Sequence, residues 1–350
     1  MTRLFTQIGV AAAGAAFVVP ALFAQAPPAR PQSATADAAK TWTVPRTPWG
    51  DPDLQGLWPS VDMQGTPYER PASFGTRAVL NDSELDAREQ QSQRQAEADA
   101  ETTANVERDR THVGAPSNWG EHGQPNRQAS LIVDPPDGRF PPMTADGERR
   151  SKEAYSTYFL DFPDAVTAHA FDSYTDLGPY DRCITRGLLA SMLPTAYNMG
   201  NQILQVPGFV IIRNEMIHET RLIPLDGRPH LGSKIRQYLG DSRGHWEGAT
   251  LVVETTNFNG KVGITRNGNT LPTSRDLKIV ERLERTGPKT LQYTATVTDP
   301  KTWTRPWTVS LPLTLHPDYK FFEYACHEGN YAMPHILSGA RSDERSEAGQ

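Results

Sequence analysis

Short apolar runs that recur along the C-terminal part of the chain constrain its fold most strongly. From about residue 200 onward, runs of about 5 to 10 residues rich in β-branched and aromatic side chains alternate with Gly, Pro, Asn and Asp. No stretch between them is long enough for the crossover helix that a parallel sheet requires. The pattern predicts an antiparallel meander with strands at 202–206, 208–217, 219–224, 234–240, 249–258, 277–285, 290–298, 307–315 and 320–326.

The number of predicted strands bears on how the meander is arranged. An antiparallel meander of this size either closes into a barrel or folds as a sandwich of two sheets. Eight or nine strands suit a small barrel with room for one ligand. We therefore predict a mainly β fold, closed into a small barrel and preceded by a helical or irregular N-terminal segment.

The N-terminus has the pattern of a secretory signal peptide over residues 1–26. Arg3 supplies a positive charge, residues 8–23 are apolar or small apart from Pro20, and Ala24-Gln25-Ala26 fits a cleavage site. The alternative is a retained membrane anchor, but the apolar run is shorter than the about 20 residues needed to span a bilayer. We predict a periplasmic or secreted protein with no stable membrane span after signal cleavage.

Changes in composition divide the remaining chain. Residues 27–48, rich in Ala, Pro, Ser and Thr, are predicted to be a linker. Residues 49–180 are predicted to be an irregular and helical segment packed on the barrel, with a polar helix at 82–110. The barrel domain is placed at 181–341 and a tail at 342–350.

Two cysteines, Cys183 and Cys326, cannot build a disulfide-rich scaffold or a four-thiolate zinc site. Export to an oxidising compartment favours a disulfide between them. Two free buried thiols and a catalytic role remain open as alternatives.

Charge and motif patterns exclude several classes of protein. The net charge of -6 disfavours a nucleic-acid-binding protein. No Rossmann or Walker glycine pattern and no G-x-S-x-G is present. A metal site is conceivable from histidines and glutamates, but their spacing matches no zinc motif, so we predict no cofactor and no metal. The histidines and glutamates concerned are His218, His230, His327, Glu215 and Glu328.

Four motifs together resemble a family of uncharacterised secreted bacterial proteins. They are P-W-G-D-P-D-L-Q-G-L-W at 48–58, P-L-D-G-R-P-H at 224–230, G-D-S-R-G-H-W-E-G-A-T-L-V-V at 240–253 and F-E-Y-A-C-H-E-G-N-Y at 322–331. The resemblance spans roughly residues 45 to 341 and carries over no catalytic residue. The pattern G-x-W-x-G-x-T-L-x-V around Trp246 is similar to lipocalin-like barrels, so the predicted barrel is described as lipocalin-like.

Strand alternation indicates which polar residues face the interior. Glu281 shares a face with Leu277, Ile279 and Leu283, which predicts an inward carboxylate with a raised pKa. His218 shares a face with Met216 and Leu222 and is also predicted to point inward. A salt bridge to an interior arginine and a structural core histidine are the alternatives.

Further candidates lie at strand ends, where the mouths of barrels form. The catalytic candidates are His218, Glu281, His327 and Glu328. The substrate-binding candidates are Asn257, Asp241, Arg243, Tyr324 and Trp246; Asp241 and Arg243 are expected to pair within a hairpin turn at 240–244.

Two functions fit this pattern. The first is an exported, cofactor-independent enzyme that acts on a small, partly apolar molecule by acid–base chemistry, as an isomerase, lyase, hydratase or hydrolase. The alternative is a non-catalytic periplasmic protein that binds or carries a small ligand. The surroundings of Glu281 and His218 discriminate between them, because convergence on an open cavity favours catalysis and capping by buried groups favours binding.

Overall fold

A computed structural model describes residues 42–104, 119–153, 171–264 and 271–349. The predicted signal peptide and residues 27–41 of the predicted linker lie outside the described residues. The predicted domain boundaries stay predictions.

The described strands form two antiparallel sheets. The smaller sheet has the order β1-β3-β4-β5 and the larger one the order β2-β10-β9-β8-β7-β6. The strands of the smaller sheet are β1 (Gly56–Leu57), β3 (Asn201–Val206), β4 (Phe209–Asn214) and β5 (Thr220–Pro224). Those of the larger sheet are β2 (Ile132–Asp134), β6 (Asp241–Glu247), β7 (Thr250–Thr256), β8 (Lys278–Gly287), β9 (Thr290–Thr298) and β10 (Trp307–Thr314).

Strict alternation in the larger sheet builds the core. In β9 every second side chain is buried, and β10 follows the same pattern. These side chains share one apolar core with residues of the smaller sheet such as Ile203, Val210 and Ile223. Trp303 and Trp307 close one part of it with ring centroids 5.4 Å apart at 76°, an edge-to-face contact worth about 0.5–1.5 kcal/mol beyond burial.

The mainly β architecture is confirmed, but the described strands form no closed barrel. β5 and β6 are close in space, yet they belong to different sheets. Both sheets cover a common core, which is nearer to the sandwich alternative. The closed, lipocalin-like barrel is therefore not confirmed.

Three predicted strands need correction. Residues 234–240 and 320–326 form no strand, and β4 ends at Asn214 instead of continuing to residue 217. The predicted turn at 240–244 is instead the start of β6, where Ser242 Oγ lies 2.8 Å from Thr255 Oγ1 of β7. Pairing with β7 outweighs the turn preference of Asp, Ser and Gly, because strand formation depends on neighbours more than on intrinsic propensity.

Four helices surround the sheets in the described part of the chain. They are α1 (Asp82–Ala104), α2 (Ala145–Glu153), α3 (Leu188–Met192) and α4 (Ala332–Ala348). The predicted polar helix is α1, and a reciprocal capping box starts it: Glu84 N donates to Asn81 Oδ1 and Asn81 N donates to Glu84 Oε2, each at 2.9 Å. In α4 no side chain is buried. None of the helices in the described ranges combines the length and apolarity that crossing a membrane requires.

Candidate active site

Two carboxylates converge on one tyrosine hydroxyl at one end of the smaller sheet. Tyr319 Oη lies 2.7 Å from Glu215 Oε2 and 3.0 Å from each carboxylate oxygen of Glu121. We call Glu121, Glu215 and Tyr319 the carboxyl–tyrosine cluster. Its members come from three distant segments, so only the folded chain brings them together.

Backbone hydrogen bonds hold each segment in place. Glu215 directly follows β4, and its N–H donates to Gly200 O at 2.9 Å. The N–H of Glu121 donates to Ala196 O at 2.8 Å. Tyr319 closes a turn after β10, with its N–H 3.1 Å from His316 O.

Glu215 is fully buried and fully hydrogen-bonded. Besides Tyr319 Oη, its carboxylate accepts from Phe322 N at 2.8 Å, Asn198 Nδ2 at 2.9 Å and Gly200 N at 3.1 Å. A carboxylate that accepts four such bonds matches the pattern of the ionised form, which has acceptors only. Glu215 therefore contributes a hydrogen-bonded, acceptor-only carboxylate to the cluster.

Glu121 is half-buried, and it holds its proton more tightly than an ordinary glutamate. Burial raises the pKa of Glu121, and the charge of Glu215 raises it further, against hydrogen bonds from Tyr319 and from the N–H groups of Asn198 and Met199. The pKa of Tyr319 is also raised, first by burial and then by the charge of Glu121. Tyr319 is thus a neutral hydroxyl with a single proton to donate.

The proton count of the cluster has a chemical consequence. The shortest contact of Tyr319 is with Glu215, so its one hydrogen is best placed there. When this hydrogen points to Glu215, the contacts of Tyr319 Oη with Glu121 are attractive if Glu121 carries a proton and donates it; when the hydrogen points to Glu121, that carboxyl can accept it in the ionised form. The cluster can therefore hold an exchangeable proton on Glu121, the more accessible of the two carboxyls.

The backbone around the cluster is shaped for these contacts. Asn198 has a left-handed φ of 52°, and it donates from its N–H to Glu121 at 2.8 Å and from Nδ2 to Glu215. A Cβ on Gly200 would lie 2.7 Å from both Glu215 Oε2 and Tyr319 Cε1. Only glycine fits at position 200 without displacing the cluster.

Left-handed backbone is concentrated next to the cluster. Ile217 and His218 have φ values of 58° and 45°, and Cys183 has a φ of 55°. Such values are strained for residues other than glycine, above all for a β-branched residue like Ile217. Strain of this kind often accompanies functional sites.

The predicted disulfide is confirmed and lies beside the cluster. Cys183 and Cys326 are bonded, with 5.6 Å between their Cα atoms. Near the bridge, Tyr180 Oη lies 2.9 Å from Tyr324 Oη, so Tyr324, a substrate-binding candidate, adjoins this region. The bridge fixes the segment that supplies Phe322 N to Glu215.

Glu281 faces inward as strand alternation predicts, but it does not face an open cavity. Its carboxylate is fully buried and accepts from Arg221 Nη1 at 2.6 Å, Arg221 Nη2 at 2.9 Å and Tyr293 Oη at 2.9 Å. Burial lowers the pKa of Arg221, but the charge and hydrogen bonds of Glu281, with smaller contributions from Tyr293 and Glu219, together outweigh this effect and the net pKa is raised. This arrangement is the interior salt bridge named as the alternative.

His218 is exposed, so the prediction that it points inward is wrong. The chain leaves β4 at Asn214 and enters a 3-10 turn, Met216–His218, which breaks the strand alternation. Its Nδ1 lies 3.1 Å from Tyr324 O. His218 and Glu281 therefore do not share a cavity, and His327 and Glu328 are exposed in a turn after the disulfide.

Three further candidates, Asp241, Arg243 and Asn257, lie in or next to a second polar cluster on the larger sheet. Asp241 is buried and pairs with Arg243 Nη1 at 2.6 Å and with His230 Nδ1 at 3.1 Å. His230 Nε2 lies 3.3 Å from Glu254 Oε1. Asn257 donates to Leu231 O at 2.8 Å.

Trp246, another substrate-binding candidate, is half-buried against the main core. The described residues contain no group of three or more His, Cys, Asp or Glu side chains placed to hold a metal ion.

The chain matches no protein-family model, no curated protein and no solved structure in comparisons with known proteins. The resemblance to secreted bacterial proteins stays a prediction.

Sequence reasoning missed the roles of Glu121 and Tyr319 and considered Glu215 only as a metal ligand. One indication existed for Glu215, since a charge directly after a buried strand is costly unless it is hydrogen-bonded.

Proposed function

We propose that the chain is an exported enzyme that uses acid–base chemistry without a cofactor, with Glu121 as the proton donor. The observation that supports this most directly is the sharing of one hydroxyl, that of Tyr319, by Glu121 and Glu215. A carboxyl whose pKa is raised by burial and by a neighbouring negative charge is suited to general acid catalysis.

Each member of the cluster has a distinct role in this proposal. Glu215 supplies a negative charge that adds to the main effect of burial in raising the pKa of Glu121. Tyr319 positions the carboxyl of Glu121 and can relay a proton between the two glutamates. The reaction class is acid–base chemistry on a small molecule, with proton transfer to or from it, as in elimination, isomerisation, hydration or hydrolysis.

The disulfide supports the proposed location. Such bonds persist in oxidising compartments and are rare in the cytosol, so the bond between Cys183 and Cys326 favours a periplasmic or secreted protein.

A second candidate function is a non-catalytic protein that binds a small ligand, and the surroundings of Glu281 favour it. Its carboxylate is saturated by Arg221 and Tyr293, which leaves no acid or base in the interior at that position. In this second candidate function, the protein would hold one small ligand in its interior, as a lipocalin-like barrel does.

Two measurements test the enzyme proposal. Infrared difference spectra between the wild type and Glu121→Gln, recorded over a pH series, should show that the carboxylic acid C=O band of Glu121 persists to higher pH than that of an ordinary glutamate. Turnover of a panel of glycosides and esters should be lost in Glu121→Gln while circular dichroism stays unchanged. A Glu121 that ionises as an ordinary glutamate does, or a wild type and Glu121→Gln variant of equal activity, would contradict the proposal.

A further inference from the structure

Two exposed aromatic residues are linked to the carboxyl–tyrosine cluster, one by sequence and one by a hydrogen bond. Trp119, two residues before Glu121, is 53% exposed, and its ring meets Tyr197 edge-on at 5.9 Å. Phe322 is 61% exposed, and its own N–H donates to Glu215. One ring is therefore close in sequence to Glu121, and the other belongs to a residue that hydrogen-bonds Glu215.

Two more exposed aromatic residues lie near the disulfide. Tyr331 is 66% exposed and follows Asn330, whose Nδ2 lies 3.1 Å from Cys183 Sγ. Tyr174 is 60% exposed, with the guanidinium of Arg182 5.9 Å from its ring centroid. A single exposed aromatic side chain is ordinary on a protein surface, whereas several that lie close together can mark a binding site.

The type of ligand follows from the openness of these rings. A fully apolar ligand gains most of its affinity from an enclosed pocket. Trp119 and Phe322 instead keep more than half of their surface in water. A pyranose ring suits such a surface, because its C–H face can stack on an aromatic ring while its hydroxyl groups remain hydrated.

We propose that the carboxyl–tyrosine cluster acts on neutral carbohydrates, with Trp119 and Phe322 as stacking platforms for sugar rings on either side of Glu121 and Glu215. This inference rests on the proposed function for its chemistry, but the binding step can be tested separately. The negative charge of Glu215 disfavours anionic sugars at the same place.

Binding is measured by calorimetry with the full chain as the Glu121→Gln variant, so that no ligand is consumed. The probes are hexasaccharides of β-1,4-glucose, α-1,4-glucose and β-1,4-xylose, with a hexasaccharide of galacturonate as the anionic comparison. At least one neutral probe should bind at millimolar concentration. Adding Trp119→Ala or Phe322→Ala should weaken that binding at least about tenfold, since stacking area is lost.

Trp49→Ala is the matched control. Trp49 is also exposed, at 37%, but its Nε1 donates to Asp51 within its own turn. Its removal should leave sugar binding unchanged. Absence of binding to every neutral probe, or binding that is insensitive to both Trp119→Ala and Phe322→Ala, overturns the carbohydrate assignment.

The two proposals fail in different ways. Sugar binding without turnover by the wild type would leave the carbohydrate site standing and contradict acid catalysis by Glu121. Turnover of esters that is lost in Glu121→Gln, without any sugar binding, would leave acid catalysis standing and contradict the carbohydrate site.

Discussion

Arg221 of β5 and Glu281 of β8 form a two-hydrogen-bond ion pair that joins the two sheets, at 2.6 and 2.9 Å. The side chains are 3% and 0% exposed, so water screens neither charge. Each charge therefore depends on the other for its stabilisation in the interior. Glu281 therefore has a structural role, because its pair with Arg221 connects the two sheets.

Replacing one partner of this pair should destabilise the fold strongly. Glu281→Gln leaves the charge of Arg221 buried and unpaired, and we expect a loss of about 3–5 kcal/mol in the free energy of unfolding by urea denaturation. The triple variant Arg221→Met, Glu281→Leu, Tyr293→Phe removes all three polar partners together and should recover most of that loss. Glu247→Gln, which breaks an exposed pair with Arg282, should change stability little. Equal stability of Glu281→Gln and the wild type would show that the pair is not structural.

The sequence predicts what depends on local periodicity. The burial of Glu281 and the strands β7 to β10 follow from alternation, because each residue's neighbours along the strand determine its face. His218 could not be placed in this way. The preceding residue, Ile217, is β-branched, and such residues normally favour a continuing strand. In the structure Ile217 instead adopts a left-handed backbone, which its side chain disfavours and which the sequence does not reveal.

The carboxyl–tyrosine cluster is the product of long-range contacts. Glu121 and Tyr319 are 198 residues apart in the sequence, and Glu215 is 104 residues from Tyr319. No spacing rule connects such positions in a single sequence. The division of the strands into two sheets could not be predicted either, because the number of strands does not determine which strand edges pair.

Stability should depend on pH through Glu121. Its pKa is raised in the folded protein, first by burial, so the folded state favours the protonated form. Its stabilising contribution is complete below the ordinary glutamate pKa of about 4.3 and is lost as pH rises through the raised value. The unfolding free energy of the wild type minus that of Glu121→Gln should therefore fall as pH increases from about 4. A difference that is constant between pH 4 and 8, measured by urea denaturation, would contradict the raised pKa.

Gly200→Ala should disrupt the carboxyl–tyrosine cluster. The added Cβ would lie 2.7 Å from Glu215 Oε2 and from Tyr319 Cε1, closer than real contacts allow. We expect a loss of about 1–3 kcal/mol in unfolding free energy, as for other overpacked sites, together with loss of the proposed activity. Gly232→Ala is the control, because a Cβ there meets no atom within 4 Å. Similar stability and activity of the two variants would show that the cluster tolerates displacement.

Removing the disulfide should destabilise the chain and loosen one side of the cluster. Cys183 and Cys326 are 143 residues apart in the sequence, so the bond restricts a long loop in the unfolded state. The chain-entropy model gives about 5 kcal/mol for a loop of this length. The double variant Cys183→Ser, Cys326→Ser should show a large part of this loss, whereas reducing agent should have no further effect on it.

Sugar binding through Phe322 should weaken more than binding through Trp119 in this double variant, because the bridge fixes the segment that leads to Phe322 and Glu215. Calorimetric titrations of this double variant, with and without Phe322→Ala and with and without Trp119→Ala, measure that difference. An undiminished effect of Phe322→Ala would show that the segment keeps its position without the bridge.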